Sequence, residues 1–232
     1  MKAFLVTGTS RGLGLEICKQ LIKPSHIIFS ISRTNNERLS ELAAEQGCKF
    51  HFMKYDLQNV QGISPLMEEM LELVDHSELE SLTLINNAAQ VSPLGAIDCC
   101  SPEETIRNVQ INLLAPMLLT QSLIKQTDHL ELKRIIVNVS SGSANYAAAG
   151  MSAYCASKAA LNMFTSCVQL EEHRAVTVYK VDPGMVDTEM QAEARQVEGQ
   201  PVFDYFRQAK EAGLLKTAES VAKKIVKRVL SS

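Results

Sequence analysis

Runs of consecutive apolar residues alternate along this chain with stretches whose apolar positions recur every three to four residues. The first pattern suits strands buried on both faces, the second suits helices that bury one face. Strands are predicted near 2–7, 27–32, 50–55, 82–86, 134–140 and 176–182, and helices near 13–23, 36–46, 62–75, 102–125, 152–173 and 217–230. This alternation predicts an α/β fold, a doubly wound parallel sheet with helices on both faces. One boundary is marked chemically: Ser101 stands at the N-cap, Pro102 at the first helical position and Glu104 at the third. In such sheets ligands bind at the carboxyl ends of the strands, where strand order reverses. Gly8, Asn87, Ser141 and Pro183 all come just after predicted strands and so converge on that edge.

With 232 residues, 46% of them hydrophobic, and a net charge of -3, the chain is sized for one substantial core. No linker, repeat or low-complexity stretch divides it, so 1–232 reads as a single domain. Scattered Lys and Arg argue against a nucleic-acid surface, which needs clustered positive charge. The exception is Lys223, Lys224, Lys227 and Arg228, opposite Val221, Ile225, Val226, Val229 and Leu230 on an amphipathic helix. A solvated face explains that charge most simply, with a membrane or partner site as the alternative. No segment reaches the ~20 apolar residues of a membrane span, and the N-terminal run is too short for a signal peptide, so a cytoplasmic protein with no membrane partner is expected. Cys18, Cys48, Cys99, Cys100, Cys155 and Cys167 then read as free thiols. The histidines show no ligand spacing, and no metal is expected. The sequon Asn138-Val139-Ser140 ends an apolar run and reads as a buried strand end.

Two local patterns carry chemistry. The run Ala3 to Val6 leads into Thr7-Gly8-Thr9-Ser10-Arg11-Gly12-Leu13-Gly14 and then a helix that Pro24 stops: strand, glycine turn, helix. Gly8 can take backbone angles closed to other residues, Gly12 lets the chain approach a phosphate, and Gly14 lets the helix pack on the strand. Free N–H groups at the helix start then face a pyrophosphate. Further on, Tyr154 and Lys158 stand four apart in a predicted helix, on one face, with Ser140-Ser141 upstream. An ammonium beside a phenol is expected to lower the phenol pKa and ready it for proton transfer.

Together these patterns resemble the short-chain dehydrogenase/reductase superfamily, along nearly the whole chain. The matches come in that family's order: Thr7 to Gly14, Asp56 in Tyr55-Asp56-Leu57, Asn86-Asn87-Ala88-Ala89, Asn112, Ser141, Tyr154 with Lys158, and Pro183-Gly184-Met185-Val186-Asp187-Thr188. Asn112 to Met117, Asn162 to Thr165 and Gly184 to Gln191 are similar, more narrowly, to the sepiapterin reductase group, and within it to bacterial benzil reductases forming (S)-benzoin. The resemblance implies a Rossmann-type sheet of order 3-2-1-4-5-6. Most relatives add a strand after the last helix, and sepiapterin reductases an acidic residue that grips the pterin. Neither is present past Ser232, which leaves two readings, further chain that is missing or a sheet that has lost its seventh strand; in both, pterin recognition is disfavoured and the sheet edge needs a partner subunit or loop to cover it.

Site roles follow from the resemblance. Tyr154 is the expected general acid, Ser141 the donor that polarises the substrate carbonyl, Lys158 the group that holds the nicotinamide ribose, and Asn112 a backbone carbonyl that holds a water on a proton path. Ser141 is preferred to Ser140 because thirteen residues to Tyr154 is a usual family spacing; Ser140 is expected to satisfy local backbone groups. Expected cofactor contacts are Gly8, Ser10, Arg11, Gly12, Leu13, Gly14, Arg33, Asp56, Leu57, Asn87, Ala88, Tyr154, Lys158, Pro183, Gly184, Val186 and Thr188. Local readings compete: Asp56 as a cap, Asn86-Asn87 as a turn. Ala89 replaces the family's glycine and fits only with negative φ.

Charge bears on which cofactor. An NAD site needs an acid after the second strand, but Arg33 stands there, and Arg11 adds a second positive charge; a 2′-phosphate suits both, so NADPH is expected. The alternative is a surface Arg33 with Glu37 as the acid. Ser141, Tyr154, Gly184, Met185 and Met190 are the expected substrate contacts, under a mobile lid of about 185–215 to which Phe203, Tyr205 and Phe206 bring aromatic rings and Val202 an aliphatic side chain. A roomy apolar pocket and the resemblance imply an NADPH-dependent carbonyl reductase that converts a vicinal diketone such as benzil to an α-hydroxy ketone. A pterin-reducing enzyme and a non-catalytic NADPH-binding homologue are the alternatives. The family's habit implies a homodimer through the helices carrying Asn112 and Tyr154.

Overall fold

The computed structural model describes residues 1–231. β1 (Lys2–Thr7) lies centrally between β2 (His26–Ser32) and β4 (Ser81–Asn86). β3 (Lys49–Lys54) forms the edge beyond β2, and β5 (Lys133–Val139) and β6 (Val176–Val181) extend the other side. All five pairings are parallel, in the expected order β3-β2-β1-β4-β5-β6, so strand order reverses between β1 and β4. Register brings Phe4 beside both Ile28 and Thr83, and Leu84 beside Ile136.

Alternate side chains of the central strands feed two separate cores. Phe4, Val6, Ile28, Ile135 and Val137 meet α1 (Gly12–Leu21), α2 (Glu37–Glu45) and α9 (Ala218–Leu230) through Ile17, Leu21, Leu39, Val221 and Ile225. Ala3, Leu5, Ile27, Phe29 and Ile136 meet α3 (Ile63–Glu72), α5 (Ala115–Thr127) and α6 (Ser152–Leu170) through Met67, Leu119, Leu123 and Val168. At roughly 1.5–3 kcal/mol per fully buried aliphatic or aromatic side chain, these layers outweigh any single polar contact and hold the strand ends rigidly. Asn138 is fully buried in β5 and links Asn86 of β4 (2.8 Å) to Thr165 of α6 (2.9 Å), as suits a buried strand end.

Three expectations change. The single helix predicted over 102–125 is broken: α4 (Pro102–Val109) passes through a π-helical turn, Gln110–Leu114, into α5. Pro116, four residues after Asn112, has no N–H to offer the Asn112 carbonyl, so the ordinary helical bond cannot form there. Ala115 N–H bonds instead to the Gln110 carbonyl. The lid contains two helices not predicted, α7 (Glu189–Arg195) and α8 (Pro201–Glu211). Their signals were present: the Thr188 hydroxyl accepts from Gln191 N–H as an N-cap, and Pro201 occupies the first turn. Finally, the open edge at β6 is covered in part by its own helix. Gln169 donates to the Val178 carbonyl at 2.7 Å, and Lys180 reaches Ser166 at 3.2 Å.

Candidate active site

The glycine turn leaves β1 with Gly8 at φ 74° and Gly12 at φ 59°, both in the left-handed region. A side chain on Gly8 would lie 2.8 Å from the Ala88 Cα, and one on Gly14 only 2.1 Å from the Gly8 carbonyl, so the turn requires glycine at both. Asn87 clamps the turn: its carboxamide donates to the Thr7 and Gly8 carbonyls (3.0 and 3.3 Å), while the Thr7 hydroxyl accepts from the N–H groups of Asn87 and Ala88. The competing reading of Asn87 as a local turn former thus becomes a tie between the loops after β1 and β4, at the point where strand order reverses. Ala89 keeps negative φ, since Glu172 and Ala175 are the non-glycine residues with positive φ among those described, and the methyl group fits.

α1 begins after Arg11 with no side-chain cap and no acid in its first turn, which leaves its N–H groups available to an anion. Leu13 is buried beneath it. The Ser10 carbonyl accepts from Asn36, which joins this turn to the loop after β2. Arg33, in that loop, and Arg11 are both exposed, and neither pairs with a carboxylate among the described residues. These residues fit a dinucleotide phosphate. Asp56 accepts from Gln58 N–H at 3.0 Å, so its carboxylate serves a local turn, while Leu57 is buried beside it.

Across the switch point, α6 buries Tyr154, Ser157, Lys158, Leu161, Thr165 and Val168 on one face. Tyr154 is 7% exposed and Lys158 2%. The Lys158 ammonium donates to the Val139 carbonyl at 2.9 Å and lies 5.9 Å from the Tyr154 ring centre. Ser141, just past β5, accepts from Ser143 N–H at 3.2 Å, and its side chain lies near enough to the Tyr154 phenol to pull the phenol pKa down. The three expected catalytic side chains therefore meet at one strand end. Ser140 corrects the expectation of a local role for its hydroxyl, which is buried without a partner; its N–H bonds to Val181.

The expected lowering of the Tyr154 pKa is also corrected. Burial pushes the phenol above the usual tyrosine range, and the carboxylate of Asp182 and the thiol of Cys155 add to the rise, against a smaller downward pull from Ser141. Burial likewise brings Lys158 down to about 8. Desolvation wins because the ammonium is directed at a backbone carbonyl and not at the phenol oxygen.

Asn112 is fully buried in the π-helical turn. Its side chain donates to the Gln90 carbonyl (2.8 Å), Asn108 (2.9 Å) and Ser157 (3.2 Å), and accepts from Gln90 N–H (2.8 Å). With every side-chain position used, only its backbone carbonyl is left to serve the site. Asn108 and Ser157 were missed from sequence, and Gln90, expected only in the pocket wall that runs to Leu94, supports Asn112 instead. The one signal was the four-residue spacing of Asn108 and Asn112, which puts both on one helix face.

The lid closes the other side. Val186 and Lys216 form a bridge, with Lys216 N–H to Met185 and Asp187 N–H to Lys216, each 2.9 Å, so the neck is pinned. The Asp187 carboxylate binds Lys210 of α8 and, at 3.8 Å, Arg195 of α7, while Arg207 donates to the Arg195 and Val197 carbonyls. Thr188 lies against Gly12, within 3.4 Å of where a side chain there would start. Pro183 and Gly184 (φ 70°) carry the chain past β6 toward Met185. Met190 and Phe206 pack on a cluster of Val91, Met151, Tyr154, Ala194 and Phe203, while Tyr205 faces solvent. One cavity, lined by Val60, Ile63, Leu118 and Ser122, lies away from these groups, between the start of α3 and α5. Among the described residues no His, Cys, Asp or Glu cluster is suited to a metal, and no helix is long and apolar enough to cross a membrane.

Comparisons with known proteins agree with this geometry. A benzil reductase ((S)-benzoin forming) of Bacillus cereus is 38% identical over 97% of this chain and 92% of its own. A sepiapterin reductase of Xenopus tropicalis is 31% identical over 96% of this chain and 88% of its own. The crystal structure of a 3-oxoacyl-[acyl-carrier protein] reductase from Brucella melitensis in complex with NAD superposes with a TM-score of 0.79 at 26% identity, over 97% of this chain and 88% of that one. The family model described as short chain dehydrogenase matches residues 2–199, and the chain belongs to that family of nicotinamide-dependent oxidoreductases.

Proposed function

We propose that this protein is an NADPH-dependent carbonyl reductase that reduces one carbonyl of a vicinal diketone such as benzil. The observation that carries the reading is the meeting of Ser141, Tyr154 and Lys158 under an apolar lid, beside a glycine turn suited to phosphate. Similarity to a benzil reductase over nearly the whole chain supports the substrate class. Unpaired Arg11 and Arg33 support the 2′-phosphate of NADPH.

When bound, the reduced nicotinamide supplies a hydride. Ser141 orients the substrate carbonyl by donating its hydroxyl hydrogen, and Tyr154 gives a proton to the carbonyl oxygen as negative charge grows there. A phenol raised by burial is fully protonated at neutral pH, which suits an acid in the reducing direction. Lys158 fixes the ribose. The Asn112 carbonyl, freed by Pro116, holds the water that returns a proton toward Lys158. Val91, Met151 and Phe203 exclude water and favour an apolar substrate.

A homodimer through α4, α5 and α6 belongs to the same reading. It is supported by Ile106 (58% exposed), Met163 (67%) and Leu170 (82%) on those helices. A pterin carbonyl is the second substrate reading, on the strength of the sepiapterin reductase similarity. Following NADPH oxidation with benzil, a quinone and sepiapterin in parallel tests the choice. The proposal expects the highest kcat/KM with benzil and is overturned if sepiapterin leads or nothing is reduced.

A further inference from the structure

The turn after β6 places a carboxylate beside the candidate catalytic groups that the reaction itself does not use. Asp182 directly follows β6. Its Oδ1 accepts from Gly184 N–H at 2.8 Å, which holds the Pro183-Gly184 turn in shape. Its Oδ2 points the other way, 3.6 Å from where a side chain on Gly142 would begin, and Gly142 adjoins Ser141. The carboxylate thus spans the gap between the loop carrying the Ser141 hydroxyl and the turn on the far side of the cleft. Its field reaches the Tyr154 phenol.

No ion pair engages this carboxylate among the described residues, although the Lys216 ammonium lies against the same turn, 2.7 Å from where a side chain on Gly184 would begin. Lys216 lies over the Pro183 carbonyl at 3.5 Å. Lys158 is buried and directed at Val139, and Asp187 is occupied with Lys210 and Arg195. Glu189 lies near Gly12, and Glu193 accepts from Ser92, while Arg11 and Arg33 stand on the cofactor side of the cleft. Asp182 is exposed, so a substrate carrying its own carboxylate next to the reacting carbonyl would meet a like charge at the solvent side of the cleft, and such repulsion, screened in part by water and salt, discriminates against it.

We infer that Asp182 is a specificity-determining residue that excludes 2-oxo acids and confines the site to uncharged ketones. The inference rests on the carbonyl-reductase reading and narrows its substrate class. Asp182→Asn removes the charge and keeps the acceptor for Gly184, and Asp182→Glu keeps the charge.

Phenylglyoxylate and its methyl ester offer the same ketone with and without a neighbouring negative charge. With saturating NADPH, the wild type is expected to prefer the ester, Asp182→Asn to shrink that preference about five-fold or more through a gain on the anion, and Asp182→Glu to retain it. In the wild type alone, added salt should raise kcat/KM for the anion and leave the ester unchanged, a readout that needs no variant. Unchanged discrimination in Asp182→Asn, or salt insensitivity in the wild type, would overturn the role of Asp182. Failure of the wild type to reduce benzil and the ester would instead overturn the reductase reading beneath it.

Discussion

Tyr154→Phe is expected to lower kcat with benzil by about three orders of magnitude, as loss of a positioned general acid does. The substitution removes one oxygen and leaves the ring in its cluster with Val91, Met151 and Phe203, so the fold and the lid should persist. NADPH affinity, measured by nucleotide fluorescence, should stay close to wild type because the glycine turn and Lys158 are untouched. The pH profile gives a second check. In the free protein Lys158 loses its proton near 8, whereas Tyr154 is raised and keeps its own. Thus kcat/KM for NADPH should be full below that value and fall as pH rises through it. Unchanged turnover in Tyr154→Phe would reject the assignment of the acid.

Arg33→Asp should invert cofactor preference. A guanidinium that binds a phosphate through charge-assisted hydrogen bonds contributes about 1.5–3 kcal/mol, so kcat/KM for NADPH should drop about a hundred-fold. The new carboxylate stands where it would accept a hydrogen bond from the ribose 2′-hydroxyl of NADH, and kcat/KM for NADH should rise. Arg33 has no partner to lose among the described residues, so melting temperature should hardly move. If the wild type already prefers NADH, the charge argument fails and Glu37, at the start of α2, becomes the ribose ligand.

Much of this was legible in residue order because the chemistry sits on local patterns. Gly8, Gly12 and Gly14 mark a strand–turn–helix, and Tyr154 with Lys158 share a helix face by spacing alone. Other features depend on contacts between distant segments and left little trace. Gln90, Asn108 and Ser157 become a support for Asn112 only once α4, the π-helical turn and α6 are packed together. The Asp187 latch needs Lys210 and Arg195 brought back from elsewhere in the lid. The sign of the Tyr154 shift depends on burial, which spacing does not report. The break in the helix at Asn112 was written in Pro116, four residues on, yet apolar periodicity runs straight through it.

The central claim is that hydride passes to a substrate carbonyl within reach of Tyr154. Its most direct test is to incubate the wild-type protein with benzil and NADPH deuterated at the transferring position of the nicotinamide, and to analyse the product by mass spectrometry. The account predicts benzoin with deuterium on its carbinol carbon, formed in step with NADPH oxidation. Unlabelled benzoin, or no benzoin while the nucleotide remains bound, would contradict it.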